Sequence, residues 1–380
     1  MAEQQTSLIG PDLTQGVALA DLVNGRLLGH VGDHEILLVQ ADSELFAIGA
    51  HCSHYHAPLA DGVVVGKTVR CPWHHACFDL RSGEALRPPA LSPVECWEVE
   101  QRDGRIFVRE KQEQPKQRPT QAAKGVGRIV IIGGGAAGFA AAEMLRRRGF
   151  EGSIDMLSQD QAAPVDRPNL SKDYLAGSAP EDWLPLRPVA YYAEQHIELH
   201  LNAEVVRIDM KSREVTVAGG KTLAFDRLLL ATGAEPVRLP IPGADQPHVH
   251  SLRSLADCRA IIETAKTARR ALVIGASFIG LEVAAALRTR GIEVVVVAPE
   301  ARPMERVLGP QMGDFIRALH ETHGVVFRLQ DTVAAIDGAI EAKDCLVRYK
   351  RNGRVLAVAS IFRDVENLKA ELAMERAVVN

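Results

Sequence analysis

The sequence predicts a multidomain chain, all-β at its N-terminus and α/β after it, with the last α/β domain incomplete and a hairpin–helix remnant at the C-terminus. Three observations predict it. Up to about Glu110 the apolar runs are short and broken by Gly, Asp and Pro, the pattern of strands joined by turns. Residues 111–124 are polar and Pro-containing without apolar periodicity, as a solvated linker is. Beyond them strands alternate with helices across glycine-rich turns at 133–138 and 275–280.

The first module is expected to place strands at 36–40, 45–50, 68–71 and 105–109. After the second of these stands Cys52-Ser53-His54 and, sixteen residues later at the end of the third, Cys71-Pro72-Trp73-His74. Two thiolates and two imidazoles on two short loops can hold a tetrahedral zinc. They can equally hold a [2Fe–2S] centre in which one iron takes two Cys and the other two His. The surrounding words are His51-Cys52-Ser53-His54-Tyr55-His56-Ala57-Pro58-Leu59, Arg70-Cys71-Pro72-Trp73-His74-His75-Ala76-Cys77-Phe78-Asp79 and Ser82-Gly83. They resemble the Rieske family, and the resemblance implies a [2Fe–2S] cluster on Cys52, His54, Cys71 and His74. His51, His56 and His75 are then polar neighbours of the cluster, and Cys77 and Cys96 small buried residues. High-potential respiratory members of the family carry a disulfide between the two loops. Ala57 and Trp73 occupy those places here, which implies the ferredoxin type and a potential nearer about −150 mV than +300 mV.

Composition narrows the function classes. The chain has 380 residues, 47% of them hydrophobic, and a net charge of −4, which gives no electrostatic footprint for nucleic acid or an anionic membrane surface. No apolar run reaches the length of a membrane span, and the first residues lack the features of a signal or transit peptide. Four of the six cysteines fall in the first module, which fits no disulfide framework and suits a reducing, cytoplasmic setting.

In the α/β part a strand at 128–132 feeds Gly133-x-Gly135-x-x-Gly138 and a helix over 139–148. This is a dinucleotide-binding turn: the first glycine makes the tight bend, the second admits a pyrophosphate, and the third lets helix and strand pack closely. A second copy follows, with a strand at 270–274, the turn Gly275 to Gly280 with Ser277 at its middle position, a helix over 281–289 and a strand at 293–297. Two such turns point to Rossmann-like FAD and NAD(P) domains. The acid that contacts an adenosine ribose is displaced in both copies. Asp160 is the nearest carboxylate after the first. After the second, Glu300 favours NADH while Arg302 leaves NADPH open.

Between the turns, Val165-Asp166-Arg167-Pro168-Asn169-Leu170-Ser171-Lys172-Asp173-Tyr174-Leu175-Ala176-Gly177 and the stretch 225–234 resemble the pyridine-nucleotide-dependent flavoprotein reductases, in particular the ferredoxin-reductase and apoptosis-inducing-factor-like branch. Some members carry a Rieske domain at the N-terminus. The resemblance implies that Gly133, Gly135 and Gly138 hold the FAD pyrophosphate. Arg167 and Lys172 then line the flavin side, with Lys172 nearest the isoalloxazine and the candidate catalytic residue. Val205, Thr232, Gly233 and Arg253 are further FAD contacts, and Gly275, Gly280 and Glu300 the NAD(P) contacts. Disulfide reductases of this fold carry a redox Cys pair after the first turn. Here no Cys occurs between Cys96 and Cys258, which leaves hydride uptake by the flavin and release of single electrons to iron–sulfur centres.

The expected domains are 1–110 (Rieske), 111–125 (linker), 126–255 (first part of the FAD domain), 256–340 (partial NAD(P) domain) and 341–380 (remnant of the C-terminal reductase domain). A complete family member continues past the second turn to an Ala-x-Gly-Asp word and a third domain. This chain passes from Ile340 to a segment with Asn352-Gly353 at a hairpin tip, which implies an internal deletion near Ile340; a lone hairpin is marginal without a sheet to join. Three functions stay open. One is an oxidoreductase carrying electrons from NAD(P)H through FAD to the cluster and on to an unidentified acceptor, a ferredoxin or an oxygenase. Another is a Rieske carrier with a non-functional flavoprotein half. The third is a redox-linked interaction protein resembling apoptosis-inducing factor.

Overall fold

Residues 36–39 of the first module are apolar without interruption, and their strand is accordingly buried on both faces. Ile36 and Leu38 pack with Trp97, Ile106 and Val108 in one core, while Leu37 and Val39 pack with Cys52, Cys71 and Phe78 in another. The period-2 alternation of a strand thus divides the module into two apolar layers. The computed structural model describes residues 9–113, 125–339, 344–351 and 354–361. Most of the expected linker, the junction near Ile340, the hairpin tip Asn352-Gly353 and the C-terminal stretch after Ile361 lie outside the described residues.

The chain divides into two units, Met1–Gln117 and Arg118–Asn380. In the first, β1 (Val17–Ala18), β2 (Arg26–Val31), β3 (His34–Ala41) and β4 (Glu44–Gly49) precede β5 (Val63–Val65), β6 (Thr68–Arg70), β7 (Cys77–Asp79) and β8 (Ala85–Arg87), with β9 (Cys96–Arg102) and β10 (Arg105–Lys111) last. They form a six-stranded antiparallel sheet in the order β1-β10-β9-β4-β3-β2 and a four-stranded antiparallel sheet β5-β6-β7-β8. The smaller sheet and the loop after β4 carry the Cys and His words.

In the second unit β11 (Arg128–Ile132) enters the first glycine turn and α1 (Ala136–Arg147) leaves it; β12 (Ser153–Leu157), α2 (Asp173–Ala176), α3 (Val189–Glu194) and β13 (Ile197–His200) follow. After them come β14 (Val205–Asp209), β15 (Glu214–Val217), β16 (Thr222–Ala224) and β17 (Arg227–Leu230). The parallel sheet runs β13-β12-β11-β17, and β14-β15-β16 form a separate antiparallel sheet. Next are α4 (Leu255–Ala265), β18 (Arg270–Ile274), α5 (Phe278–Thr289), β19 (Glu293–Ala298), α6 (Glu305–Leu308), α7 (Pro310–Thr322) and β20 (Val325–Leu329), whose strands form a second parallel sheet β18-β19-β20. Both turn helices begin three residues earlier than the sequence suggests. Gly135 and Ser277 are already their N-caps, so the last residues of each glycine word are helical.

The C-terminal hairpin, β22 (Asp344–Arg351) and β23 (Arg354–Ile361), does not stand alone, because β21 (Thr332–Ala339) pairs antiparallel with β22. β21 is anchored in turn: Val333 and Ile336 pack with Val297, and the Ile336 N–H donates to the Pro242 carbonyl at 2.9 Å. No helix among the described residues is long and apolar enough to cross a membrane.

One exposed carboxylate fastens the start of β11. Asp226 accepts from the N–H of Gly127 and of Arg128, each at 2.8 Å, and these bonds hold its carboxyl below the ordinary value of 3.8. A lowered folded-state pKa means that the carboxylate stabilises the fold above the unfolded pKa and ceases to as pH falls through the lowered value. Asp226→Ala should lower the melting temperature at pH 7, and the gap to the wild type should close as the pH is taken below 3.8. A gap that stays constant into acid would contradict this role.

Candidate functional site

Residues 52–57 and 71–76 form two loops of one design. The first is closed by the antiparallel pair His51↔Pro58 and the second by Arg70↔Cys77 at the end of the β6–β7 hairpin. In each, the cysteine N–H donates to the carbonyl of the alanine five residues on, Cys52 to Ala57 at 2.9 Å and Cys71 to Ala76 at 2.8 Å. In each, the histidine four residues on donates its N–H back to the cysteine carbonyl, His56 at 3.0 Å and His75 at 3.2 Å. His56 (φ 55°) and His75 (φ 62°) therefore hold left-handed positions, which histidine occupies more readily than most residues. These two histidines shape the loops.

The loops bring Cys52 and Cys71 together in the apolar layer, 1% and 3% exposed, with their thiols in hydrogen-bond contact. Burial, and after it contact with the Cys71 thiol, pushes the Cys52 thiol up to about 11, against hydrogen bonds from the His54 and Tyr55 backbone N–H groups. A metal bound there displaces that proton, since thiolate is the ligand form. The histidines meet on their own: the rings of His54 and His74 lie edge to face with centroids 5.0 Å apart, and Tyr55 stacks on His54 at 3.9 Å. The donors thus divide into a sulfur pair and an imidazole pair, a division that suits two irons, each taking one pair. Among the described residues no three His, Cys, Asp or Glu side chains group to hold a single ion.

Neighbours fix these loops. His51 Nε2 pairs with Glu35 at 2.5 Å while its Nδ1 faces the His56 carbonyl at 3.1 Å. Arg26 donates to the carbonyls of Ala60 at 2.7 Å and Gly62 at 2.8 Å, just past the first loop. Ala57 is buried and Trp73 is 55% exposed, and the described cysteines form no disulfide. Cys77 and Cys96 are buried.

In the second unit the first glycine turn gathers most of the expected FAD contacts. Gly133 has φ 121°, and a Cβ there would stand 2.1 Å from the Ala231 carbonyl oxygen and 3.1 Å from the Thr232 nitrogen. A Cβ on Gly138 would meet the Gly133 carbonyl oxygen at 1.9 Å. Gly135 faces Arg167, whose guanidinium would lie 3.8 Å from an added Cβ. Gly233, at φ 73°, has the Arg253 guanidinium 3.0 Å from the position of a Cβ. Arg167 is oriented by Asp160 at 3.0 Å, so the carboxylate that stands late for a ribose contact serves this arginine instead. Val205 opens β14 and packs with Ile132 and Leu157 beneath the turn.

Lys172 is held from α5. Its ammonium pairs with Glu282 of α5 at 3.0 Å, and the Ser171 hydroxyl donates to the same carboxylate at 2.6 Å. Glu282 was not legible as a site residue, because it lies more than a hundred positions from Lys172 in a helix read only for its glycines. The second turn repeats the first: Gly275 has φ 110°, and a Cβ on Gly280 would meet the Gly275 carbonyl oxygen at 2.1 Å. Glu300 stands on the loop after β19, 3.9 Å from Arg306.

The Rieske [2Fe-2S] domain family matches residues 17–98, and the family described as pyridine nucleotide-disulphide oxidoreductase matches residues 127–363. Apoptosis-inducing factor 3 of Homo sapiens is 35% identical over 330 residues, 84% of this chain and 54% of that protein. Rhodocoxin reductase of Rhodococcus erythropolis is 42% identical over 211 residues, 56% of this chain and 49% of that protein. Among solved structures, the covalent putidaredoxin reductase–putidaredoxin complex aligns with a TM-score of 0.57 at 32% identity, over 64% of this chain and 61% of that one. The chain spans about half the length of the curated relatives it matches.

Proposed function

The chain belongs to the pyridine nucleotide-disulphide oxidoreductase family and carries a Rieske [2Fe-2S] domain, and on that premise we propose that it is an NAD(P)H oxidoreductase of the ferredoxin-reductase type. Electrons enter from a nicotinamide donor, pass to the iron–sulfur centre and leave to an acceptor of the ferredoxin or oxygenase class. The observation that carries this reading is the convergence of Gly133, Gly135, Gly138, Arg167, Thr232, Gly233 and Arg253 about one strand–turn–helix. When bound, FAD takes a hydride and releases its electrons one at a time. Residues 126–255 hold the FAD, residues 256–340 the nicotinamide nucleotide, and Cys52, His54, Cys71 and His74 the cluster. Free buried cysteines point to a reducing, cytoplasmic setting.

The residues divide the work by their chemistry. The N-terminus of α1 and the Arg167 guanidinium supply positive potential for a pyrophosphate. Arg253 and the Thr232-Gly233 backbone close the same end, and Val205 supports the adenine side. Lys172, paired with Glu282, to which the Ser171 hydroxyl also donates, would bring a cation to the flavin side and supply positive charge there. Lys172→Ala should slow flavin reduction by NADH at least about tenfold at unchanged FAD content. Glu282→Gln, which frees the ammonium from its orienting carboxylate, should slow it less. Rapid-mixing absorbance reads both rates, and an unchanged rate in Lys172→Ala would remove this residue from the reaction.

A Rieske carrier with a non-functional flavoprotein half is the second reading, and one observation favours it. β17 is the edge of the first parallel sheet, and its Leu229 and Leu230 are 37% and 61% exposed, unusual for the end of such a strand. Anaerobic addition of NADH to the purified chain separates the two. Bleaching of the flavin and cluster bands together supports the oxidoreductase; a cluster that only dithionite reduces supports the carrier.

A further inference from the structure

We propose that Asp314 and Glu305 make the nucleotide site selective for NADH by holding Arg302 away from it, an inference that rests on the nucleotide role assigned above to Gly275 and Gly280. The loop leaving β19 carries both groups that decide between the two nucleotides. A carboxylate there accepts a hydrogen bond from the ribose 2′-hydroxyl of NADH, and an arginine there donates to the 2′-phosphate of NADPH. Glu300 and Arg302 stand two positions apart, Glu300 twenty residues past Gly280. The loop belongs to the turn: the Gly275 N–H donates to the Val297 carbonyl at 2.8 Å, and the Met304 N–H to the Ala276 carbonyl at 3.1 Å.

Arg302 is turned towards the helices. Its Nε donates to Asp314 of α7 at 2.8 Å and its Nη1 to Glu305 of α6 at 3.2 Å. Its aliphatic stem lies across Gly313, where an added Cβ would come within 3.0 Å of the Arg302 Cβ and 2.8 Å of the Pro303 carbonyl oxygen. Ion pairs this exposed are individually weak, but two carboxylates acting on one planar guanidinium fix its direction. Among the described residues Glu300 pairs only with Arg306, at 3.9 Å and 83% exposed, beyond hydrogen-bond reach. The three carboxylates Glu300, Glu305 and Asp314 outnumber the two arginines, so a 2′-phosphate brought to this loop meets net negative charge.

Isothermal titration of the full-length chain with NAD+ and NADP+ tests this without turnover, since the two differ only in the 2′-phosphate. The wild type should bind NAD+ at least about tenfold more tightly than NADP+. In the double variant Asp314→Ala/Glu305→Ala, both at helix positions where alanine is favourable, NADP+ affinity should rise about tenfold with NAD+ affinity held. Adding Arg302→Ala should cancel the gain; Arg306 is present throughout and so does not confuse the comparison. If the double variant melts below the assay temperature, Asp314→Ala alone, which removes the shorter bond, takes its place. NAD+ binding with no NADP+ gain, or a gain that survives Arg302→Ala, overturns the proposal. No NAD+ binding by the wild type overturns the nucleotide assignment of the turn, and the proposal falls with it.

Discussion

His74→Ala is expected to abolish the iron–sulfur centre, with iron, sulfide and the visible cluster bands all lost, while His75→Asn in the next position should leave them in place. The contrast follows from what each histidine does in its loop. The His75 N–H closes the turn onto Cys71 from a left-handed backbone, a position asparagine also adopts. The His74 ring meets that of His54 and is the second imidazole of the proposed ligand pair. His74 is exposed, so removing its ring opens no cavity in the apolar layer and should change the stability of the cluster-free chain by less than about 0.5 kcal/mol. The loss of iron therefore reads ligation and not misfolding. His56→Asn in the twin loop is expected to behave like His75→Asn. Iron content and visible absorbance check all three variants. Retention of the cluster in His74→Ala, or its loss in His75→Asn, would show that the spacing had selected the wrong ligand.

Gly138→Val is expected to remove FAD from the protein while leaving the iron–sulfur centre intact. Any Cβ at this position would stand 1.9 Å from the Gly133 carbonyl oxygen and 3.2 Å from Ile131. The nearest atom in the way is backbone, which has no rotamer by which to yield. α1 must then move off β11, which opens the turn and carries its N-terminus away from the pyrophosphate. Overpacking of a tight helix–strand contact costs about 3 kcal/mol, comparable to a large part of the stability of a marginal domain. FAD content, thermal melting and iron content should be measured together. Iron is the control, because the cluster loops belong to a different unit of the chain. A variant that retains FAD would contradict the packing role assigned to this glycine.

The parts of the molecule legible in sequence are those whose chemistry is local. Cys52, His54, Cys71 and His74 advertise two donor loops by residue type and spacing; Gly133, Gly138 and Gly280 mark turns because a Cβ there would meet backbone, and Gly275 because its φ of 110° suits glycine. Strands β3, β4, β6 and β10 follow from short apolar runs. β1, β2, β5, β7, β8 and β9 are not among the expected strands: β1, β5, β7 and β8 are only two or three residues long, and the Cys96–Arg102 segment of β9 is rich in charge. Contacts made across long separations leave no local trace. Glu282 reaches Lys172 from α5, and Arg302 is held by a residue twelve positions on. The direction of a flexible arginine is set by which carboxylate the fold places nearby, and that is decided by how α6 and α7 pack, not by the order of residues in the loop.

The central claim is that one chain holds both redox groups, and the composition of the protein purified anaerobically tests it most directly. Two irons, two sulfides and one FAD per chain are predicted. Iron and sulfide without flavin would contradict the flavoprotein half of the account, and a single zinc in place of the iron would contradict the reading of the paired cysteine and histidine loops.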